Sequence, residues 1–145
     1  LSPGASCAVI VTFAPDGSGI RDGNLAVYYS GPGSPQILTL VGTGTAVSLK
    51  PGALTFGSQA IGTPSTAKDV LLKNNGTTPL VLGAMVALGD FSQASNCPSS
   101  LLPDTMCTLR ITFTPSHSGV RTGQITIDDS DGNSPHVIKL SGTGT

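Results

Sequence analysis

The sequence predicts an all-β fold of Ig-like antiparallel β-sandwiches in tandem repeat, with about seven short strands in each complete unit. Three observations predict it. Apolar residues recur at every second position through several short segments, the period of a half-buried strand. Turn formers, 19 Gly and 11 Pro in 145 positions, break those segments at short intervals. The chain also matches itself when displaced by about the length of one Ig-like domain.

The self-match organises the rest. Displaced by 100 positions, residues 1–45 lie on 101–145 without a gap, and about 18 of the 45 pairs are identical. Shared composition does not produce such agreement at one fixed offset. Cys7 meets Cys107, Thr12-Phe13 meets Thr112-Phe113, and Pro15 meets Pro115. Arg21 and Gly23 meet Arg121 and Gly123, and Gly42-Thr43-Gly44-Thr45 meets Gly142-Thr143-Gly144-Thr145. Residues 1–45 read as the C-terminal half of an Ig-like repeat and residues 46–145 as a complete repeat. Ala46-Val47-Ser48-Leu49 starts a strand directly after the first unit closes. Successive units should therefore abut, where a Gly/Ser linker would let them swing.

Within 107–113, Cys107, Leu109, Ile111 and Phe113 share one face, with Thr108, Arg110 and Thr112 on the other. The copy places Cys7, Val9, Val11 and Phe13 against Ala8, Ile10 and Thr12. The exchange of Ile10 for Arg110 orients both strands, because a charge is tolerable outward and costly inward. Thr114-Pro115 and Ser118-Gly119 then turn the chain. Ile125 and Ile127 point inward on the next strand, and Ile138 and Leu140 on the one after. Upstream, Leu54 with Phe56, Val70 with Leu72, and the run 80–88 supply further strands. Gly62-Thr63-Pro64, Asn74-Asn75-Gly76 and Gly89-Asp90 separate them. The expected core comprises Phe13, Phe56, Phe113, Ile111, Ile125 and Leu140. No window carries a helical period. Three strands in 1–45 cannot close a sandwich, so they are completed by further strands of the same chain or by strands from a neighbour.

Cys97 and Cys107 stand ten apart with Pro98 and Pro103-Asp104 between them, so the chain can fold back and join them. A Cys97–Cys107 disulfide is expected, with two buried reduced thiols as the alternative. Cys7, equivalent to Cys107, is unpaired or paired with an upstream cysteine. A disulfide implies an oxidising compartment, and the protein is expected outside the cell or at its surface. Leu1-Ser2-Pro3-Gly4 lacks the basic and apolar parts of a signal peptide, so the export signal is expected outside this segment.

Only 10% of the residues are charged, against about 25% in ordinary domains. A net charge of −1 with scattered Lys and Arg does not make the basic stripe that nucleic-acid binding needs. No apolar run reaches the roughly 18 residues of a membrane span. Nor does the chain carry a nucleophile elbow, a phosphate loop or an H-E-x-x-H motif. His117 and His136 face Gly17 and Gln36 in the other copy. The expectation is therefore no enzyme, no catalytic residue and no cofactor. Alternate carboxylates before Gly132 make Asp129 and Asp131 a calcium candidate, but the other copy has Tyr29 and Gly31, and a hairpin turn explains the segment better. Asn75-Gly76-Thr77 fits the N-glycosylation pattern, although Asn-Gly is also a favoured hairpin turn. Tyr28 and Tyr29 are the chain's two tyrosines; one of them facing outward could contact sugar or a neighbouring subunit.

The run Cys107-x-Leu109-x-Ile111-Thr112-Phe113-x-Pro115, then Gly119, Gly123-x-Ile125-x-Ile127 and Ile138-x-Leu140-x-Gly142-Thr143-Gly144, resembles the abnormal-spindle/hydin (ASH) Ig-like domain. It is most similar to the bacterial choice-of-anchor D type of tandem repeat. Leu54-x-Phe56-Gly57, Ile61-Gly62-Thr63 and Val70-x-Leu72-x-Asn74-x-Gly76 fit the same pattern. The resemblance implies a sandwich of seven to eight strands, similar to PapD-like folds and repeated in long exported bacterial proteins. It brings no catalytic residues. The expected function is a structural or adhesive repeat of a stalk, surface fibre or filament. Its expected partners are neighbouring repeats or copies of itself, including strand donation to the half-domain. The alternative is an accessory module of an exported protein that binds a surface glycan or protein ligand.

Overall fold

The computed structural model describes residues 1–15 and 18–145; Gly17, the counterpart of His117, lies outside the described residues. The described residues hold strands and no helix. Strands β1 (Gly19–Val27) and β2 (Gln36–Gly44) form an antiparallel hairpin that is a sheet of its own. Then come β3 (Val47–Lys50), β4 (Ala53–Gln59), β5 (Lys68–Asn74), β6 (Leu80–Leu88), β7 (Phe91–Ser95), β8 (Ser100–Leu101), β9 (Met106–Phe113), β10 (Gly119–Asp129) and β11 (His136–Gly144). They build a sandwich of two sheets, one ordered β4-β11-β10-β6-β8 and the other β3-β5-β9-β7. This is the Ig-like arrangement.

Alternation explains the packing. In β9, Cys107, Leu109, Ile111 and Phe113 are buried while Arg110 is exposed. From the opposite sheet come Ile125, Ile127, Ile138 and Leu140, with Phe56, Leu80 and Leu82 beside them. Phe56, Phe91 and Phe113 cluster at one end, with ring centroids 4.9–5.8 Å apart. Glycines floor this cluster. A Cβ on Gly142 would stand 2.5 Å from the Phe113 ring, and one on Gly123 would stand 2.3 Å from Leu88 O and 2.5 Å from the Phe91 ring. Only a residue without a side chain admits rings that close.

The turn at Asn75-Gly76 differs from the hairpin reading. Strands β5 and β6 lie in different sheets, so the segment is a corner between layers. Asn74, fully buried, holds that corner: its Nδ2 donates to Thr78 O and Leu101 O, and its Oδ1 accepts Gly76 N–H. A buried amide that satisfies three such bonds fixes the path of both strands.

The hairpin β1–β2 reproduces β10–β11. Gly19 pairs with Gly44 and Val27 with Gln36, as Gly119 pairs with Gly144 and Ile127 with His136. Both turns before the hairpins use a left-handed glycine, Gly19 at φ 89° and Gly119 at φ 91°. Both hairpin loops carry a cis Ser-Pro bond, at Pro35 and Pro135. Burial separates the copies. Phe13, expected in a core, is 50% exposed, whereas Phe113 is 0% exposed. The expected strand over 7–13 is likewise not formed. The physical reason is common to both differences: β9 is laddered between β5 and β7, and segment 7–13 has no such neighbours among the described residues. Its ring still lies on the matching glycine, with a Gly42 Cβ position 2.5 Å from Phe13.

Candidate functional site at the joint between hairpin and sandwich

Strand β2 ends at Gly44 and β3 begins at Val47, so Thr45 and Ala46 alone join the two sheets. The loop between β10 and β11 reaches back over this joint. Asp131 Oδ1 accepts the Ala46 N–H at 3.2 Å, and its Oδ2 accepts the Thr45 hydroxyl at 3.0 Å. Ser18 adds a further hydrogen bond to the same carboxylate. Asn133 Nδ2 donates to Gly44 O at 2.6 Å. Backbone meets backbone alongside, where a Cβ on Gly132 would stand 2.8 Å from Gly19 Cα. Thr45 Oγ1 also accepts the Val47 N–H, which turns the chain straight into β3.

The electrostatics follow from these contacts. Burial pushes the Asp131 carboxyl upward, but the bonds from Ala46, Ser18 and Thr45 outweigh it, and the group is held below the ordinary range. Asp129 goes the other way: burial raises it, opposed in part by the Asp131 N–H bonded to its Oδ1. His136 Nε2 lies 3.5 Å from Asp129 Oδ2 and 3.3 Å from Asp131 Oδ2, without a hydrogen-bonding angle to either.

The geometry supplies a structural role for Asp131, one half of the calcium candidate formed with Asp129. Both Asp131 oxygens face hydrogen-bond donors, the opposite of what a cation presents. Among the described residues no three His, Cys, Asp or Glu side chains are placed to hold a metal ion. Replacing Asp131 by Ala removes the clamp. Exchange at the Ala46 amide is expected to quicken roughly 30-fold, corresponding to about 2 kcal/mol for bonds to a charged acceptor. Unchanged exchange would show that the joint is held by other contacts.

A second polar cluster sits at the opposite turns. Asp90 accepts Arg121 Nε, the Ser116 N–H at 3.1 Å and the Ser116 hydroxyl at 2.8 Å. His117 Nδ1 lies 3.0 Å from Ser116 Oγ. Ser, His and Asp are thus neighbours, but the serine proton goes to Asp90, so the histidine is not wired as a base. The cluster staples the turn after β9 to the β6–β7 turn. The Arg121 guanidinium, helped by Ser116, lowers Asp90 from the ordinary 3.8 to about 2. A depressed carboxyl contributes stability that is complete above the unfolded pKa and lost as pH falls through the folded one. Between about pH 4 and 2 the urea midpoint is expected to fall more steeply in the wild type than in Asp90→Asn; identical slopes would contradict the assignment.

The other sequence candidates are placed as follows. Cys97 and Cys107 are joined by a disulfide, with S–S 2.05 Å and Cα–Cα 5.0 Å. Cys7 is free and exposed. Phe56, Ile111, Phe113, Ile125 and Leu140 lie in the core. Tyr28 is 76% exposed, while the Tyr29 hydroxyl donates to Pro32 O. Asn75 is exposed at the rim of the joint. Sequence reasoning missed Thr45, Ala46, Ser18 and Asn133 as joint residues. One signal was present: Asp131 and Asn133 have Gly31 and Gly33 as counterparts, a loop rewritten between copies whose strands are kept.

The family profile described as Cep192 domain 4 matches residues 46–145. No curated protein matches in sequence. Among solved structures, the chain is similar to a protein of unknown function from Porphyromonas gingivalis W83, with 16% identity and TM-score 0.60, covering 87% of this chain and 66% of that one. It is similar to the secreted serine protease VesC from Vibrio cholerae, with 14% identity and TM-score 0.53, covering 70% and 23%. It is also similar to the ASH/PapD-like domain 7 of human CEP192, with 16% identity and TM-score 0.54, covering 97% and 94%. The chain spans less than two thirds of the first two proteins. At these identities the likeness is one of fold.

Proposed function

The chain belongs to the Cep192 domain 4 family over residues 46–145, and from that premise we propose that it is a structural and adhesive segment of an exported bacterial protein, stacking Ig-like repeats into a stalk, surface fibre or filament. The family and fold are those of a non-enzymatic ASH/PapD-like module. The joint carries the rest of the proposal. Two residues connect the sheets, and Asp131 and Asn133 grip both of them and the strand before. A unit built to transmit position to the next needs such a joint; a tethered binding module does not. The Cys97–Cys107 bond favours an oxidising compartment and hence export.

One pair of observations favours a second reading, an accessory module that binds a glycan or protein ligand for an exported protein. A domain of this fold occupies part of VesC, a secreted protease, and Tyr28 stands exposed directly after β1. Electron microscopy of the native full-length protein separates the two. Regular fibres or stalks with an axial repeat are the expected result, and isolated particles that bind a glycan array would overturn it.

A further inference from the structure

Ala46, which with Thr45 makes the joint, is held from two sides. Asp131 takes its N–H at 3.2 Å, and its carbonyl accepts the Asn75 N–H at 2.7 Å. Gly76 follows so closely that a Cβ there would stand 2.9 Å from the Ala46 Cβ. The second grip therefore depends on where the corner Asn74-Asn75-Gly76 sits. Asn74 is fully buried at the end of β5, opposite Val47 of β3. One loop supplies three of the bonds that keep it there. Its N–H donates to Thr105 O at 3.0 Å, its carbonyl accepts the Asp104 N–H at 2.9 Å, and its Nδ2 donates to Leu101 O at 2.9 Å. Leu101, Asp104 and Thr105 all lie between Cys97 and Cys107, inside the loop that the disulfide closes.

We propose that the Cys97–Cys107 bond is an oxidation-set lock on the joint: the closed loop seats the corner, the corner seats Ala46, and the hairpin is held fast to the sandwich only in the disulfide form. The coupling is a continuous run of hydrogen bonds, from the loop to Asn74 and from Asn75 to Ala46. On closure the two thiols give up two protons and two electrons, and a disulfide reagent such as oxidised glutathione takes them to become two thiols. Cys107 is 4% exposed, whereas Cys97 lines an open cleft of about 380 Å³ with Gln93, Pro98 and Ser99. The reagent therefore meets the pair at Cys97. In the dithiol form, bonds between Asn96 and Thr108 still close the β7–β9 ladder. Beyond them, the ladder of β8 with β6 covers only two residue pairs, and so short a strand is marginal. The three bonds to Asn74 loosen together, and Ala46 keeps only the Asp131 side of its grip. Units thus swing while the chain is reduced and stiffen once it reaches an oxidising compartment. The inference rests on the joint being rigid and is independent of fibre formation.

The test compares three forms of the full 145-residue chain: the disulfide, the dithiol in excess dithiothreitol, and a chain whose two sulfurs are joined through one methylene group by diiodomethane, a bridge that thiols do not cleave. Cys7→Ser in every sample removes the exposed third thiol, and trimethylamine N-oxide favours the folded dithiol. Backbone ¹⁵N relaxation gives the ratio of the rotational correlation time of β1–β2 to that of β10–β11, in which solvent viscosity cancels. A ratio near one is expected for the disulfide and the methylene-bridged chain, and a clearly smaller ratio for the dithiol. An unchanged ratio on reduction would overturn the proposal while leaving the rigid joint intact. A smaller ratio already in the disulfide would overturn both. A methylene-bridged chain that behaves as the dithiol, or a dithiol chain that loses the whole sandwich, would show that loop closure does not act through the joint and would overturn the proposal too.

Discussion

Phe113→Ala is expected to destabilise the sandwich by about 3–5 kcal/mol, whereas Phe13→Ala should cost less than about 1 kcal/mol. The two residues occupy matching places in a repeated sequence and lie on matching glycines, Gly142 and Gly42. They differ in what surrounds them. Phe113 is fully buried between Phe56 and Phe91, so truncation leaves a cavity that two sheets cannot collapse to fill. Phe13 is half exposed, and water takes the place of the lost ring. Urea denaturation of both variants reads the difference, with m-values near wild type if the unfolded states are alike. Similar losses in the two would contradict the claim that one hairpin is covered and the other open.

Removing the disulfide through Cys97→Ser together with Cys107→Ser is expected to cost about 2–3 kcal/mol. The bond closes a short loop, ten residues in sequence separation, and constrains the unfolded chain accordingly. It also delivers structure. Within the loop lies β8, whose Leu101 is 2% exposed in the core and whose carbonyl accepts the buried Asn74 amide. Freeing the loop should therefore raise exchange at the β5–β6 corner as well as lower the global midpoint. A denaturation midpoint unmoved by reductant would show that the bond contributes nothing to the fold.

The strands that alternate cleanly were legible in the sequence. Segments around Leu54, Val70, Ile111, Ile125 and Leu140 each put apolar side chains on one face, and each is a strand with that face inward. Strand β7, Phe-Ser-Gln-Ala-Ser, was illegible because its single large apolar residue carries no period, and its ladder with β9 is what makes it a strand. Segment 7–13 shows the converse. Its alternation matches that of β9, yet alternation alone does not make a strand without neighbours to pair with. The disulfide could be read from spacing because its partners are close in sequence. The joint could not, since Thr45 and Asp131 are 86 positions apart and meet only through the sandwich topology. Asp131 looked like part of a cation loop because carboxylates at alternate positions read the same whether they meet a metal or backbone N–H groups.

Whether the joint holds its two sides as one body is the claim on which the structural role depends. Backbone ¹⁵N relaxation of the intact chain measures this directly. Amides in β1–β2 and in β10–β11 are expected to report a single rotational correlation time, as required if Asp131 and Asn133 lock Gly44 through Ala46 to the sandwich. A distinctly shorter time for the hairpin would mean that it tumbles on a free hinge, and the account of stacked, position-transmitting units would be wrong.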